Sequence, residues 1–123
     1  MKIDVSATKE YYNSIIDSLL CNCGYCLNYR IQVKSAFPEV AEYLSSMGID
    51  IEKPFDTSPL DSDENGFLEY CCCQYIVFGN SKPDYHYKIG DVEFRIATSY
   101  PSTGIEQEHF LIELYPIRVK YIV

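Results

Sequence analysis

The sequence predicts one α+β domain over residues 1–123, a mostly antiparallel sheet from the C-terminal two-thirds with N-terminal helices packed on one face. Three observations carry that expectation. Apolar residues recur at helical spacing as far as Gly48. Beyond Gly48 the chain alternates apolar and polar residues, or runs apolar for a few residues between Pro, Gly and Asn, which is a strand pattern. A chain of 123 residues is one domain by length and buries about 65–70% of its unfolded surface, so it needs neither disulfide nor metal merely to fold.

Taken in order, Lys2 to Val5 alternates and predicts a short strand. The pairs Tyr11/Tyr12, Ile15/Ile16 and Leu19/Leu20 are spaced by four and predict an amphipathic helix over Lys9 to Leu20. The cysteine cluster that follows reads as a turn, with Gly24 as its breaker. Leu27 to Ala36 predicts a second helix, with Leu27, Ile31 and Lys34 on one row and Tyr29, Val33 and Phe37 on the next. Pro38 suits the first residue of a third helix, Val40, Tyr43, Leu44 and Met47 form its stripe, and Gly48 fits its C′ position. Residues 49–66 read as irregular, punctuated by Pro54 and Pro59. Phe67 to Phe78 is apolar on both faces, which predicts a central strand. Asn80 and Pro83 mark a turn. Val92 to Tyr100 alternates as a half-buried strand, Pro101 to Gly104 is a loop, and Phe110, Ile112 and Leu114 share one face of the next strand. Pro116 bends or bulges the chain before Ile117 to Val123.

The net charge is −8, and the 49–70 segment carries −6 of it. A surface of that sign repels phosphate, so nucleic acid and anionic membrane are not the expected partners. Met1 to Ser6 has no apolar core of a secretory signal, and no stretch approaches the ~20 apolar residues of a membrane span. The expected compartment is the cytoplasm, where thiols stay reduced. A disulfide framework belongs to the alternative of a mature secreted domain.

The six cysteines form two clusters, Cys21-Asn22-Cys23-Gly24-Tyr25-Cys26 and Cys71-Cys72-Cys73. Cys23 and Cys26 have the C-x-x-C spacing of two thiolates on a zinc knuckle. Cys21 would be a third ligand, and Cys71, Cys73, His86 or His109 a fourth. A second well-spaced pair is missing, and neighbouring strand residues point to opposite faces, so only part of the triplet could join. C-G-Y-C before a helix also has the form of a redox dithiol, with Cys23 attacking and Cys26 resolving. That chemistry expects a βαβ unit around the motif, and Tyr100-Pro101 as a candidate cis proline. The plainest alternative is that the thiols are small core hydrophobes.

Cys23-Gly24-Tyr25-Cys26-Leu27-Asn28-Tyr29, opening a helix, resembles the C-x-x-C-x-N-aromatic signature of a family of small uncharacterised bacterial proteins. The resemblance continues through Pro38-Glu39-Val40, Met47-Gly48-Ile49-Asp50 and Lys53-Pro54. It is weaker at Tyr75 to Gly79 and Phe110 to Pro116. It implies a coherent domain and no particular activity.

Two further patterns have plain readings. Asp61-Ser62-Asp63-Glu64-Asn65-Gly66 matches the first half of a calcium loop, but Cys72 stands where the bidentate Glu belongs, so a hairpin turn is expected. Cys72 or Cys73 with His109 would make a nucleophile pair only if the fold joined them. The acidic segment from Asp50 to Glu69 and its tyrosines could face a basic protein partner. The sequence therefore points to a small non-catalytic binding or interaction domain with a structural metal site, zinc for preference, at Cys21, Cys23 and Cys26. The alternative is a thiol-disulfide redox protein using Cys23 and Cys26.

Overall fold

The computed structural model describes residues 1–123, apart from the Asp17 side chain. Among the described residues, three α-helices precede most of a seven-stranded sheet whose pairings are all antiparallel. The predicted α+β class is what the chain adopts. The strands are β1 (Lys2–Ile3), β2 (Asp56–Pro59), β3 (Phe67–Asn80), β4 (His86–Ile89), β5 (Val92–Ile96), β6 (His109–Tyr115) and β7 (Ile117–Lys120). The helices are α1 (Val5–Ser14), α2 (Gly24–Ala36) and α3 (Pro38–Ser46).

The 14-residue β3 is the spine. One of its edges pairs with β1 and β2, the other with β6 and β7, and β5 and β4 extend the sheet from β6. Cys73 faces Leu114 and Tyr70 faces Ile117, so β6 and β7 keep one register along β3. Pro116 interrupts that shared strand at the point where it has no N–H to give.

Each face of β3 carries its own core. Tyr70, Cys73, Tyr75 and Val77 meet Phe94, Ile112 and Leu114 under α2 and α3, with Tyr29, Val33, Val40 and Leu44 from those helices. Ile76, Phe78, Leu111 and Ala97 form a smaller core on the opposite face, closed by Ala7, Tyr11, Phe55 and Ile105. Helix α1 serves both cores, sending Tyr12 into the larger and Ala7 and Tyr11 against the smaller.

The helix ends differ from the expectation. Asp4 caps α1 by accepting from Ala7 N–H (3.0 Å), so the helix starts at Val5 instead of Lys9. It stops at Ser14, and the apolar pairs beyond it do not all reach a core: Ile16 is 60% and Leu19 71% exposed. Gly24 is the first residue of α2 and not a breaker. Pro38 opens α3 as predicted. Gly48, at φ +88°, ends it with a Schellman pair, Gly48 N–H to Ser45 O (2.9 Å) and Ile49 N–H to Leu44 O (3.0 Å). A Cβ there would stand 2.6 Å from Val5 O, so glycine also lets α1 and α3 approach. The predicted Val92 strand ends at Ile96, and 97–108 is a loop over the smaller core, held by Ala97 N–H to Leu111 O (2.8 Å).

A chain of hydroxyls crosses the main core. Tyr75 Oη donates to Ile51 O (2.6 Å), and Tyr29 Oη lies 2.5 Å from Tyr75 Oη. A carbonyl only accepts and a phenol has one proton, so Tyr75 donates to Ile51 and Tyr29 donates to Tyr75. Both rings are fully buried. Tyr75→Phe strands the Tyr29 O–H and the Ile51 carbonyl, and should cost about 2–3 kcal/mol in urea denaturation. Tyr29→Phe strands no donor and should cost about 1 kcal/mol. The reverse order would contradict the donor assignment.

Candidate metal centre

The loop before α2 folds back on the helix that follows. Cys23 is the N-cap of α2, and its Sγ accepts from Cys26 N–H at 3.5 Å. Arg30, one turn beyond Cys26, donates through Nη1 to Cys21 O and to Asn22 Oδ1, both at 3.1 Å. The cap fixes Cys23 over Cys26, and the guanidinium draws Cys21 in. The sulfurs of Cys21, Cys23 and Cys26 consequently lie within 4.8 Å of one another. That group could hold a metal ion.

Three contacts seat α2 on the sheet beneath the thiols. Tyr70 Oη donates to Tyr25 O. Asn28 Nδ2 donates to Lys120 O (2.9 Å), and Asn28 Oδ1 accepts from Ile122 N–H (2.9 Å). Asn28 is fully buried and Tyr29 lies in the main core. The Asn-aromatic half of the C-x-x-C-x-N-aromatic string is thus a docking device for the helix that presents the cysteines.

The local field separates two of the three thiols. Cys23 is exposed and is held below the ordinary thiol value, first by the Cys26 N–H and then by the Cys21 and Cys26 side chains. Cys26 is half-buried and is pushed up to about 12, first by burial and then by the neighbouring sulfurs. A thiol of lowered pKa at a helix N-terminus, beside one whose pKa is raised, suits either metal capture or dithiol exchange.

The triplet stands apart from this cluster. Cys73 is fully buried in the main core, where burial raises its thiol. Cys72, on the opposite face, is raised to about 12 by burial and by Glu113. Cys71 is exposed and donates to Ser58 O (3.2 Å). Among the described residues, no Cys71, Cys73, His86 or His109 joins the three sulfurs as a fourth ligand. All six cysteines are free thiols.

His109 is committed elsewhere. Its Nδ1–H donates to Gln107 O (2.8 Å), because that carbonyl can only accept, and Nε2 meets Thr103 Oγ1 (2.9 Å). Cys73 pairs with Leu114, five residues along β6 from His109, or roughly 17 Å at strand rise, so no Cys–His nucleophile pair forms there. Among the described residues the sheet has no parallel pair, so C-G-Y-C is not set in a βαβ unit, and a cis peptide is at Tyr115–Pro116 and not at Tyr100–Pro101.

The calcium-like string is the β2–β3 hairpin turn. Asp63 Oδ1 accepts from Asn65 N–H (2.9 Å) and Phe67 N–H (3.0 Å), and Oδ2 from Arg118 Nη2 (2.5 Å). Those donors, the Phe67 N–H foremost, hold its carboxyl below the usual range. The tyrosines beside the acidic segment are structural too, since Tyr70 and Tyr75 are core residues. Sequence reasoning missed Gln74 and Glu113 on the face away from α2 and α3. A single polar residue inside the apolar run Cys71 to Phe78 was the available signal.

Alkylation of the metal-free protein should label Cys23 far ahead of Cys26 and Cys73. A depressed pKa supplies thiolate at lower pH, so the Cys23 rate should rise through a midpoint below the usual ~8.5. Site-resolved mass spectrometry over a pH series measures this, and equal rates at Cys23 and Cys26 would contradict the electrostatic picture. Comparison of the chain with protein-family models, curated proteins and solved structures finds no match.

Proposed function

We propose that the protein is a small cytoplasmic, non-catalytic binding domain in which Cys21, Cys23 and Cys26 hold a zinc ion, and that it acts through a protein partner. The observation behind this reading is the convergence of the three sulfurs at a capped helix start. Three thiolates fill three positions of a tetrahedral zinc, and water or a partner's side chain is left to complete it. The first turn of α2 is already docked by Tyr70 and Asn28, so binding need not order the loop from a random chain. The acidic 49–70 segment favours a basic partner over nucleic acid.

A second reading has its own support. An exposed, acidified Cys23 beside a Cys26 held up at about 12 is the asymmetry of an attacking and a resolving thiol.

Metal content and free-thiol count on one anaerobically purified sample separate the two. Near-stoichiometric zinc, with the three thiols reacting only after chelation, is the expected result. Cys23→Ser sharpens it, because a serine at the N-cap still accepts the Cys26 N–H. The variant should therefore keep its metal-free melting temperature and lose the rise that zinc gives the wild type. No retained zinc and no zinc-dependent rise would overturn the metal reading. A reversible Cys23–Cys26 disulfide in that case would favour the redox one.

A further inference from the structure

The donor set before α2 stops at three. Cys21, Cys23 and Cys26 bring their sulfurs within 4.8 Å of one another, and among the described residues no histidine, carboxylate or further thiol joins them. A structural zinc takes four ligands and must bring its last one from outside. Copper(I), another soft ion that thiolates select, is already satisfied by two. A trivalent arsenic centre forms three bonds to sulfur and carries a lone pair where a fourth ligand would stand. Its count is met by this chain alone.

The placement of the sulfurs suits such a centre. Cys21 and Cys23 are exposed and Cys26 is half-buried, so the group opens to solvent and not into the core. The helix cap fixes Cys23 over Cys26, while Cys21 precedes the helix and is held through its backbone carbonyl by Arg30. The Cys21 side chain can therefore turn onto the other two without disturbing α2. Once one thiol has bonded, the others attack at the high effective concentration of groups on one fold. Charge discriminates as well. Arsenous acid is uncharged at neutral pH, so a chain of net charge −8 does not repel it as it would an anion. The second cysteine run does not offer three sulfurs to one centre, because Cys73 is buried in the main core and Cys71 and Cys72 project to opposite faces of β3.

We propose that the reduced cluster of Cys21, Cys23 and Cys26 is a binding site for trivalent arsenic, taken up as arsenous acid. Each thiol replaces one hydroxyl: an As–O bond breaks, an As–S bond forms, and the thiol hydrogen leaves with the hydroxyl as water. Three waters are released, and neither arsenic nor sulfur changes oxidation state. The proposal shares its residues with the zinc reading but needs only the convergence of the sulfurs, not zinc.

The test is a titration of the metal-free full chain with sodium arsenite, under a phosphine reductant that brings no competing thiol. Near-ultraviolet As–S absorption and intact mass are the readouts. Absorption should saturate at one arsenic per chain, with a mass gain of one arsenic less three hydrogens. Cys21→Ser, an exposed change outside the helix, should weaken binding at least about tenfold, and Cys71→Ser should leave it unchanged. An adduct that keeps one hydroxyl, undiminished binding by Cys21→Ser, or binding lost in Cys71→Ser would each overturn the proposal. A protein that retains zinc yet takes no arsenite would also overturn it and leave the zinc reading standing. Arsenite bound through all three thiols by a chain that never holds zinc would do the reverse.

Discussion

The structure depends on one strand being buried on both faces and paired on both edges. β3 takes β1 and β2 on one side and β6 and β7 on the other, so its backbone groups are satisfied by four separate segments. Its side chains then require two covers. Helices α2 and α3 cover one face, and α1 with the 97–108 loop covers the other. The thiol loop inherits its position from this arrangement, because α2 is seated by Tyr70 of β3 and by the backbone at the end of β7 and just past it.

Polar atoms in the two cores are handled in opposite ways. In the larger core the tyrosine hydroxyls end on backbone carbonyls: Tyr75 on Ile51, and Tyr12 on Ile76 (2.8 Å). Tyrosine is used there as a large apolar ring with one directed proton, which accounts for much of the aromatic content of the chain. Beside the smaller core, Gln74, Glu113 and Arg95 form a network that leaves one acceptor open. Nature retains an incomplete network less often than a complete one, so the open acceptor draws attention to its surroundings.

Much of the fold was legible in the sequence because its signals were local. Pro38 and Gly48 bracket α3, and the two-faced apolar run at Phe67 identified the central strand. What escaped was set by partners far along the chain. β2 carries Asp56, Ser58 and Pro59, poor strand formers, and is a strand only because Gln74 and Cys73 offer it an edge. Ile16 and Leu19 continue a helical spacing that tertiary packing does not use. The three converging cysteines were visible as a C-x-C-x-x-C string, but Arg30, which closes the loop, lies a helical turn past it. Asn28 and Tyr29 were noticed as part of a motif, and their docking role needed residues 120–122 and the main core to be in place.

That docking has a temporal side. The Asn28 clamp joins positions separated by 92 and 94 residues. During synthesis the cysteine loop leaves the ribosome well before the strand that seats its helix. At typical translation rates the interval is on the order of 5–20 s. Throughout it the thiols are exposed on an unanchored segment, open to any metal or oxidant that meets the nascent chain, and their final spacing is imposed only when the far end of the sheet closes.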